Sequence, residues 1–302
     1  MKKPTDEIFK KIEEEIARRG GTAGSLDELY QIARQVSDDF NESPHPDFEG
    51  LSPAQMYFIV DDPMSGKIVR FRDPVDPGVV SELPMVQAAR IILSHVDPVK
   101  GLKLTATGKL PRKVVAAIHS TGLYRTPYED ILSPKVLNED DFIPACLGHI
   151  LLKLAGFVRT AKNKMMLTGK GRSAMQDPVE LFKGMFRVFV SKFNKAYFDN
   201  YDDEEIGHVG LTYVMYLLSK YGDKKRSSDF YAEKYFKAFP MLPVLTARFP
   251  NPNESCFEVR VFSRGLYLFG LVDKIVTKSE GYIRDYKYSR SNAFDNIFTL
   301  KL

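Results

Sequence analysis

The chain has 302 residues, a net charge of +4, and 44% hydrophobic, 12% aromatic and 27% charged residues. That length exceeds one ordinary compact unit, so two or three packed units are expected, and the composition excludes a disordered chain. Its charge is uneven: residues 1–99 hold 11 Lys and Arg against 18 Asp and Glu, residues 100–173 hold 13 against 5, and residues 174–302 hold 19 against 16. A cationic middle calls either for an anionic partner or for docking against the acidic first segment.

The opening MKKPTDEIFKKIEEE is charged where a secretory signal has an apolar core, and its acidic residues argue against a transit peptide, so a cytoplasmic protein is expected. Ile8, Ile12 and Ile16 at four-residue spacing before Gly20-Gly21 predict an amphipathic helix over residues 5–19. A second helix is predicted from Leu26 to Phe40 behind Ser25 as N-cap, and a third from Ser52-Pro53. Residues 61–83, rich in Asp and Pro, read as a connection with one strand candidate, Lys67 to Phe71. Pro84 to Val96 suits a helix, and GLKLTATGKLPRKVVAAI reads as a short strand, a Gly turn and a helix entered near Pro111.

Phe142 to Phe157 is apolar on most faces and reads as a buried helix, broken by His149 and Lys153 and too short to span a bilayer comfortably. Two β-prone runs follow it around the polar turn Ala161 to Lys164. Further on, Val179 to Phe198, Gly210 to Tyr221 and Asp229 to Phe239 are apolar helices whose aromatic residues suit a core. The helix-then-hairpin order then returns, with a helix over Glu254 to Leu271 and strands Val272 to Thr277 and Tyr282 to Tyr288 around Lys278-Ser279-Glu280-Gly281. LLKLAGFV at 151–158 and GLYLFGLV at 265–272 share Leu, Leu, Gly and Val in register, either as an internal repeat or because any helix-to-strand turn favours Gly between apolar residues.

The stretch from Phe142 through LLKLAGFVRTAKNKMMLTGKGR resembles the last helix and wing of bacterial winged-helix proteins, with Leu167-Thr168-Gly169-Lys170-Gly171 matching a common end of such wings. LTATGKLPRKVV at 104–115, with YGDKKRSSDFYAEKYFKAFP at 221–240, resembles a poorly characterised, multi-helical bacterial family. Some members of that family carry a Cys/His zinc motif near the C-terminus, which this sequence lacks. The resemblance implies a fold and no activity.

The expected fold is mainly α with small β-hairpins, in winged-helix-like units joined to helical segments. An N-terminal helical segment and linker would cover 1–83, a winged-helix-like domain 84–173, and a C-terminal helical domain 174–302, with a second winged-helix-like unit at 229–290. Lys153, Arg159, Lys162, Lys164, Lys170 and Arg172 put six cations and no acid into residues 150–173, a pattern suited to nucleic-acid phosphates. Alternatively the same cations form a solvated hairpin that touches protein. Sequence-specific reading is not expected, because the helix before this hairpin has few side chains able to read bases. The C-terminal counterpart offers Arg260 and Arg264, with Glu258, Ser263 and Tyr267, as an exposed helix face.

Catalytic patterns are thin. TATGKL has the wrong Gly spacing for a phosphate loop, and Leu110 stands where a magnesium-binding hydroxyl belongs. His45, His95, His119, His149 and His208 are scattered. Cys146 and Cys256 lie in apolar segments without partners at ligand spacing and read as buried, reduced thiols. Glu204 and His208 would share a face if a helix began near Asp203, but the acidic group Asp199, Asp202, Asp203, Glu204 and Glu205 also suits a first helical turn without any ligand. No metal, cofactor or membrane contact is assigned. The expected role is non-enzymatic binding of nucleic acid, or, as the alternative, of protein by a scaffold whose wings pack internally.

Overall fold

The computed structural model describes residues 4–22, 24–123, 137–246, 250–280 and 283–300. At the N-terminus α1 (Pro4–Arg18) and α2 (Leu26–Glu42) pack as a helical hairpin, and the Ser25 hydroxyl accepts the Glu28 amide to start α2. Ser52 and Gln55 form a reciprocal capping box at the start of α3 (Pro53–Asp61). The strand expected at Lys67 to Phe71 is β1 (Val69–Phe71), and its antiparallel partner is β8 (Phe298–Leu300) at the far end of the chain. α4 (Pro77–Ser81) then leads into the middle of the protein.

That middle has a compact order: α5 (Pro84–Ser94), β2 (Leu102–Lys103), α6 (Arg112–His119), α7 (Ile143–Leu154), β3 (Val158–Ala161) and β4 (Lys164–Leu167). The strands form one antiparallel sheet in the order β2-β4-β3. Lys162 and Asn163, both at positive φ (48° and 56°), make the two-residue turn of the hairpin, where the sequence places it. Two helical segments follow, the short α8 (Gly169–Ala174) and the longer α9 (Pro178–Ser191).

The C-terminal part repeats this order. α10 (Leu211–Tyr221), β5 (Arg226–Ser227), α11 (Ser228–Ala238), α12 (Pro252–Phe257) with its π-helical continuation Glu258–Leu266, β6 (Val272–Glu280) and β7 (Ile283–Arg290) follow one another. Their sheet order is β5-β7-β6, the counterpart of β2-β4-β3. α13 (Asn292–Ile297) takes the place of α8.

The echo between LLKLAGFV and GLYLFGLV extends to individual atoms. Gly156 (φ 73°) and Gly270 (φ 70°) end the two helices in the left-handed region, and the next amides, Phe157 N and Leu271 N, donate to the Leu152 and Leu266 carbonyls at 2.9 Å each. After each hairpin a hydroxyl returns to that glycine: Thr168 Oγ1 donates to Gly156 O at 2.8 Å and Ser291 Oγ to Gly270 O at 2.7 Å. The same two hydroxyls accept amides to start α8 and α13, from Gly171 and Phe294. A generic helix-to-strand turn does not require this shared hydroxyl clasp, which favours the repeat over coincidence.

The core joins both parts. α9 carries Phe182, Phe186 and Phe189, which stack among Phe71, Phe269 and Phe298 with ring centroids 4.8–6.4 Å apart. Burying such rings contributes roughly 1.5–3 kcal/mol each.

Three boundaries differ from expectation. The helix expected over Val179 to Phe198 stops at Ser191, because Asn194 caps a separate 3-10 turn at Lys195–Phe198 and Lys195 turns inward. The helix expected to reach Leu271 ends at Leu266, leaving the Gly270 turn before β6. β6 runs on to Glu280, so Lys278 to Glu280 are strand rather than turn, and Gly281 lies outside the described residues.

Candidate nucleic-acid interface

In the β2-β4-β3 sheet side chains alternate between faces, so the buried set Val158, Met165, Leu167 and Leu102 fixes which residues point out. Arg159 and Lys164 are exposed on that outer face. Lys103 on β2 stands directly across from Lys164 and is exposed as well. Like charges at opposed positions repel and destabilise an isolated sheet pair. Lys103 escapes a reading confined to residues 150–173, since strand pairing across about sixty intervening residues brings it there; the alternation of GLKLT is its local signal.

Lys162 extends this cationic surface at the hairpin turn, and Lys153 sits in the last turn of α7, where a cation complements the helix dipole. Among the described residues none of Lys103, Lys153, Arg159, Lys162 and Lys164 is in an ion pair. One acid, Asp97, is acted on by the Lys164 charge, and its carboxylate accepts the Val99 and Lys100 amides at 2.8 and 2.6 Å. Those amides, and then the charges of Lys100 and Lys164, hold its pKa below the ordinary carboxylate value.

The remaining two cations of residues 150–173 are engaged internally. Lys170 Nζ donates to the Ala155 carbonyl at 3.0 Å and lies 4.7 Å from the Phe157 ring centroid. Arg172 reaches back to the Leu167 carbonyl at 3.4 Å. They close the end of α7 and the end of the β3-β4 hairpin, so the six cations divide into a free group and a structural pair.

α7 is not a reading helix. Pro144 to His149, Leu151 and Leu152 are buried. His149, one of its few polar side chains, faces the buried Glu139 carboxylate with Nδ1 3.0 Å away. Glu139 also accepts the Leu110 amide, which ties the loop before α6 to α7. Cys146 lies beside them with its thiol pushed up to about 12 by burial and by Glu139, and Cys256 is likewise raised to about 12 by burial. Both thiols therefore stay protonated near neutral pH, which does not suit a nucleophile.

The second helix face expected at Arg260 and Arg264 is absent. Arg260 is 1% exposed and is clasped by Asp199 at 2.7 and 2.8 Å, by Asp203 at 3.3 Å, and by the Asp203 and Ile206 carbonyls. Arg264 is half-buried and donates to the Phe198 carbonyl. Two members of the acidic group, Asp199 and Asp203, are thereby partners of a buried arginine 61 and 57 residues away. No helix begins at Asp203; α10 starts at Leu211, and Glu204 and His208 are not set on one helical face. Among the described residues no group of three or more His, Cys, Asp and Glu is placed to hold a metal.

Two carboxylates of the acidic first segment dock elsewhere. Glu49 meets Lys234 at 2.6 Å and Lys220 at 3.6 Å and accepts the Tyr221 hydroxyl, while Asp47 meets Lys237 at 3.0 Å. Burial raises the Glu49 pKa, but hydrogen bonds from Lys234 and Tyr221 outweigh it and the net shift is downward. These lysines belong to α10 and α11, not to the β3-β4 hairpin.

Comparison with known proteins falls on the middle of the chain. Residues 81–180 match the Y4jL N-terminal domain. This Y4jL-like stretch runs from the end of α4 into α9 and so contains the whole β2-β4-β3 unit with its free cations. A relative from Sinorhizobium fredii (strain NBRC 101917 / NGR234), the uncharacterized protein y4jL, is 29% identical over 116 residues, covering 38% of this chain and 52% of the relative. The match thus spans about half of that relative's length. It supports similarity to a poorly characterised bacterial family. No solved structure matches the chain. No helix among the described residues is long and apolar enough to cross a membrane.

Proposed function

We propose that the protein binds nucleic acid without reading its sequence, through phosphate contacts to the β2-β4-β3 sheet and its hairpin. The order α5, β2, α6, α7, β3, β4 supports reading this part as a winged-helix-like unit, with the hairpin as its wing. One observation carries the function: Lys103, Arg159, Lys162 and Lys164 share an exposed surface and form no ion pair among the described residues, with the Lys164 charge acting on one acid, Asp97, while Glu49 and Asp47 of the acidic first segment are engaged by Lys220, Lys234 and Lys237. The excess charge of the middle is therefore left for an external anion.

Titration of the full chain with mixed-sequence DNA at several salt concentrations tests this. Log affinity should fall against log salt with a slope of roughly −3 to −4 for about four phosphate contacts. Joint replacement of Arg159, Lys162 and Lys164 by Ala should weaken binding and flatten the slope, with little change in melting temperature because exposed charges contribute little stability. Replacement of Arg260, which is buried, should act on stability instead. Absence of salt-sensitive binding, or binding indifferent to the triple replacement, would remove the proposal.

A second reading, a protein-interaction module, is favoured by Leu26, Leu29 and Tyr30 on α2 and Phe9 on α1, which stay exposed. Under that reading the wing is inert toward DNA even at low salt.

A further inference from the structure

Beside the cationic sheet lies a groove of about 520 Å³, whose lining includes His95, Asp97, Lys103, Thr105, Pro111 and Lys113. It lies between the end of α5, strand β2 and the start of α6, and Lys103 belongs both to its wall and to the outer face of the sheet. Its volume is in the range that holds a small molecule, with room for one base.

Resting on the reading of the sheet as a phosphate-binding surface, we infer that the nucleic acid bound there is single-stranded, its backbone following Arg159, Lys164 and Lys103 and a base entering the groove beside His95. Four features converge on this. First, the groove offers the half-buried His95 imidazole and Pro111 ring, with only small exposed parts of the core residues Leu102 and Leu104, and a base face prefers such flat, weakly polar surroundings to water. Second, cations stand on both sides, Lys103 on the strand and Lys113 on α6, each exposed and without an ion pair among the described residues. Third, Asp97 in the groove keeps Oδ2 clear of the Val99 and Lys100 amides that Oδ1 accepts, which suits a base amino group better than a phosphate. Fourth, α7 is buried and cannot enter a major groove, so the unit lacks the element by which a helix reads a duplex, whereas paired bases in a duplex cannot swing into a side groove.

The walls are held in place. Thr105 accepts the Lys109 amide through Oγ1 at 3.0 Å and donates its own amide to the Lys109 carbonyl at 2.8 Å, closing the TATGK turn. Asn163 of the hairpin donates to the Thr105 carbonyl at 3.0 Å, coupling the groove to the wing turn. His95 Nδ1 lies 2.8 Å from the Ile91 carbonyl, which anchors the ring to the last turn of α5.

The test compares three probes on the full chain by fluorescence anisotropy: a mixed-sequence strand of about 12 nucleotides, its duplex, and an abasic strand with the same number of phosphates. The strand should bind about tenfold more tightly than either the duplex or the abasic strand, and His95→Ala should lower strand affinity about tenfold while leaving the salt slope unchanged. His95→Phe should restore it, since any aromatic face serves. Lys103→Glu should instead reduce the salt slope by about one or more. Equal or tighter binding of the duplex, equal binding of the abasic strand, or indifference to His95→Ala in a protein that melts normally would overturn the single-strand assignment and leave phosphate binding standing. Failure of all three probes to bind would remove both.

Discussion

At the scale of single residues, charge alone did not separate working cations from structural ones. Arg260 is read from the sequence as one more basic side chain on a helix, yet it is buried against Asp199 and Asp203. Removing it leaves two carboxylates without their counter-charge, so Arg260→Met should cost about 3–5 kcal/mol, read from denaturant unfolding, where Arg159→Ala should cost about 0.5 kcal/mol or less. Near it, Lys195 is buried with its ammonium 3.0 Å from the Phe189 carbonyl, and burial, reinforced by the Arg260 charge, pushes its pKa down to about 7. The unfolded lysine keeps its proton to roughly pH 10. Between those values the unfolded chain binds a proton that the folded one does not, so this group makes stability rise with pH from about 7 to about 10, by on the order of 1 kcal/mol per unit. Lys195→Met should abolish that rise and stabilise the protein at pH 7; a slope unchanged in the variant would show that Lys195 is not its source.

At the scale of elements, helix and hairpin positions were legible because each has a local cause. Ser25, Ser52 and Pro111 stand just before helices, and the polar turn at Lys162-Asn163 separates two strand runs. Helix lengths were less legible, since Lys195 and Asn194 end α9 through contacts absent from any periodicity. The two glycine turns show the same limit in energetic terms. A methyl group added at Gly156 would meet nothing within 4 Å, whereas one added at Gly270 would lie 2.9 Å from Leu83 Cδ2 and Pro84 Cδ. Gly156→Ala should thus cost about 1–2 kcal/mol from its left-handed backbone alone. Gly270→Ala should cost clearly more, roughly 2–4 kcal/mol, because it adds overpacking against α5. Thermal melts of the two variants compare them directly; equal losses would mean that the Leu83 contact yields freely.

At the scale of the whole molecule, the decisive fact is where the acidic first segment goes. Glu49 and Asp47 meet lysines of α10 and α11, so this part of the N-terminal segment closes on the C-terminal part and not on the β3-β4 hairpin. Glu49→Gln keeps the shape of the side chain and removes its charge. It should lower stability by about 1–3 kcal/mol, and release the N-terminal segment to proteolysis sooner, without changing nucleic-acid affinity. An affinity that rises in this variant would mean that the segment shields the wing after all.

The sequence by itself determined a mainly helical protein with small hairpins, the helix-then-hairpin order and its second appearance, and the cationic character of residues 150–173. These follow from periodicity, capping residues and local charge, all of which act over a few residues. Tertiary structure decided the rest: the pairing of β1 with β8, the placing of Lys103 opposite Lys164, the burial of Arg260 by distant carboxylates, and the division of the six cations of residues 150–173 into four free and two engaged. Each depends on contacts between residues far apart in the chain. Burial and pairing, unlike helix propensity, are properties of those contacts and not of the neighbouring residues.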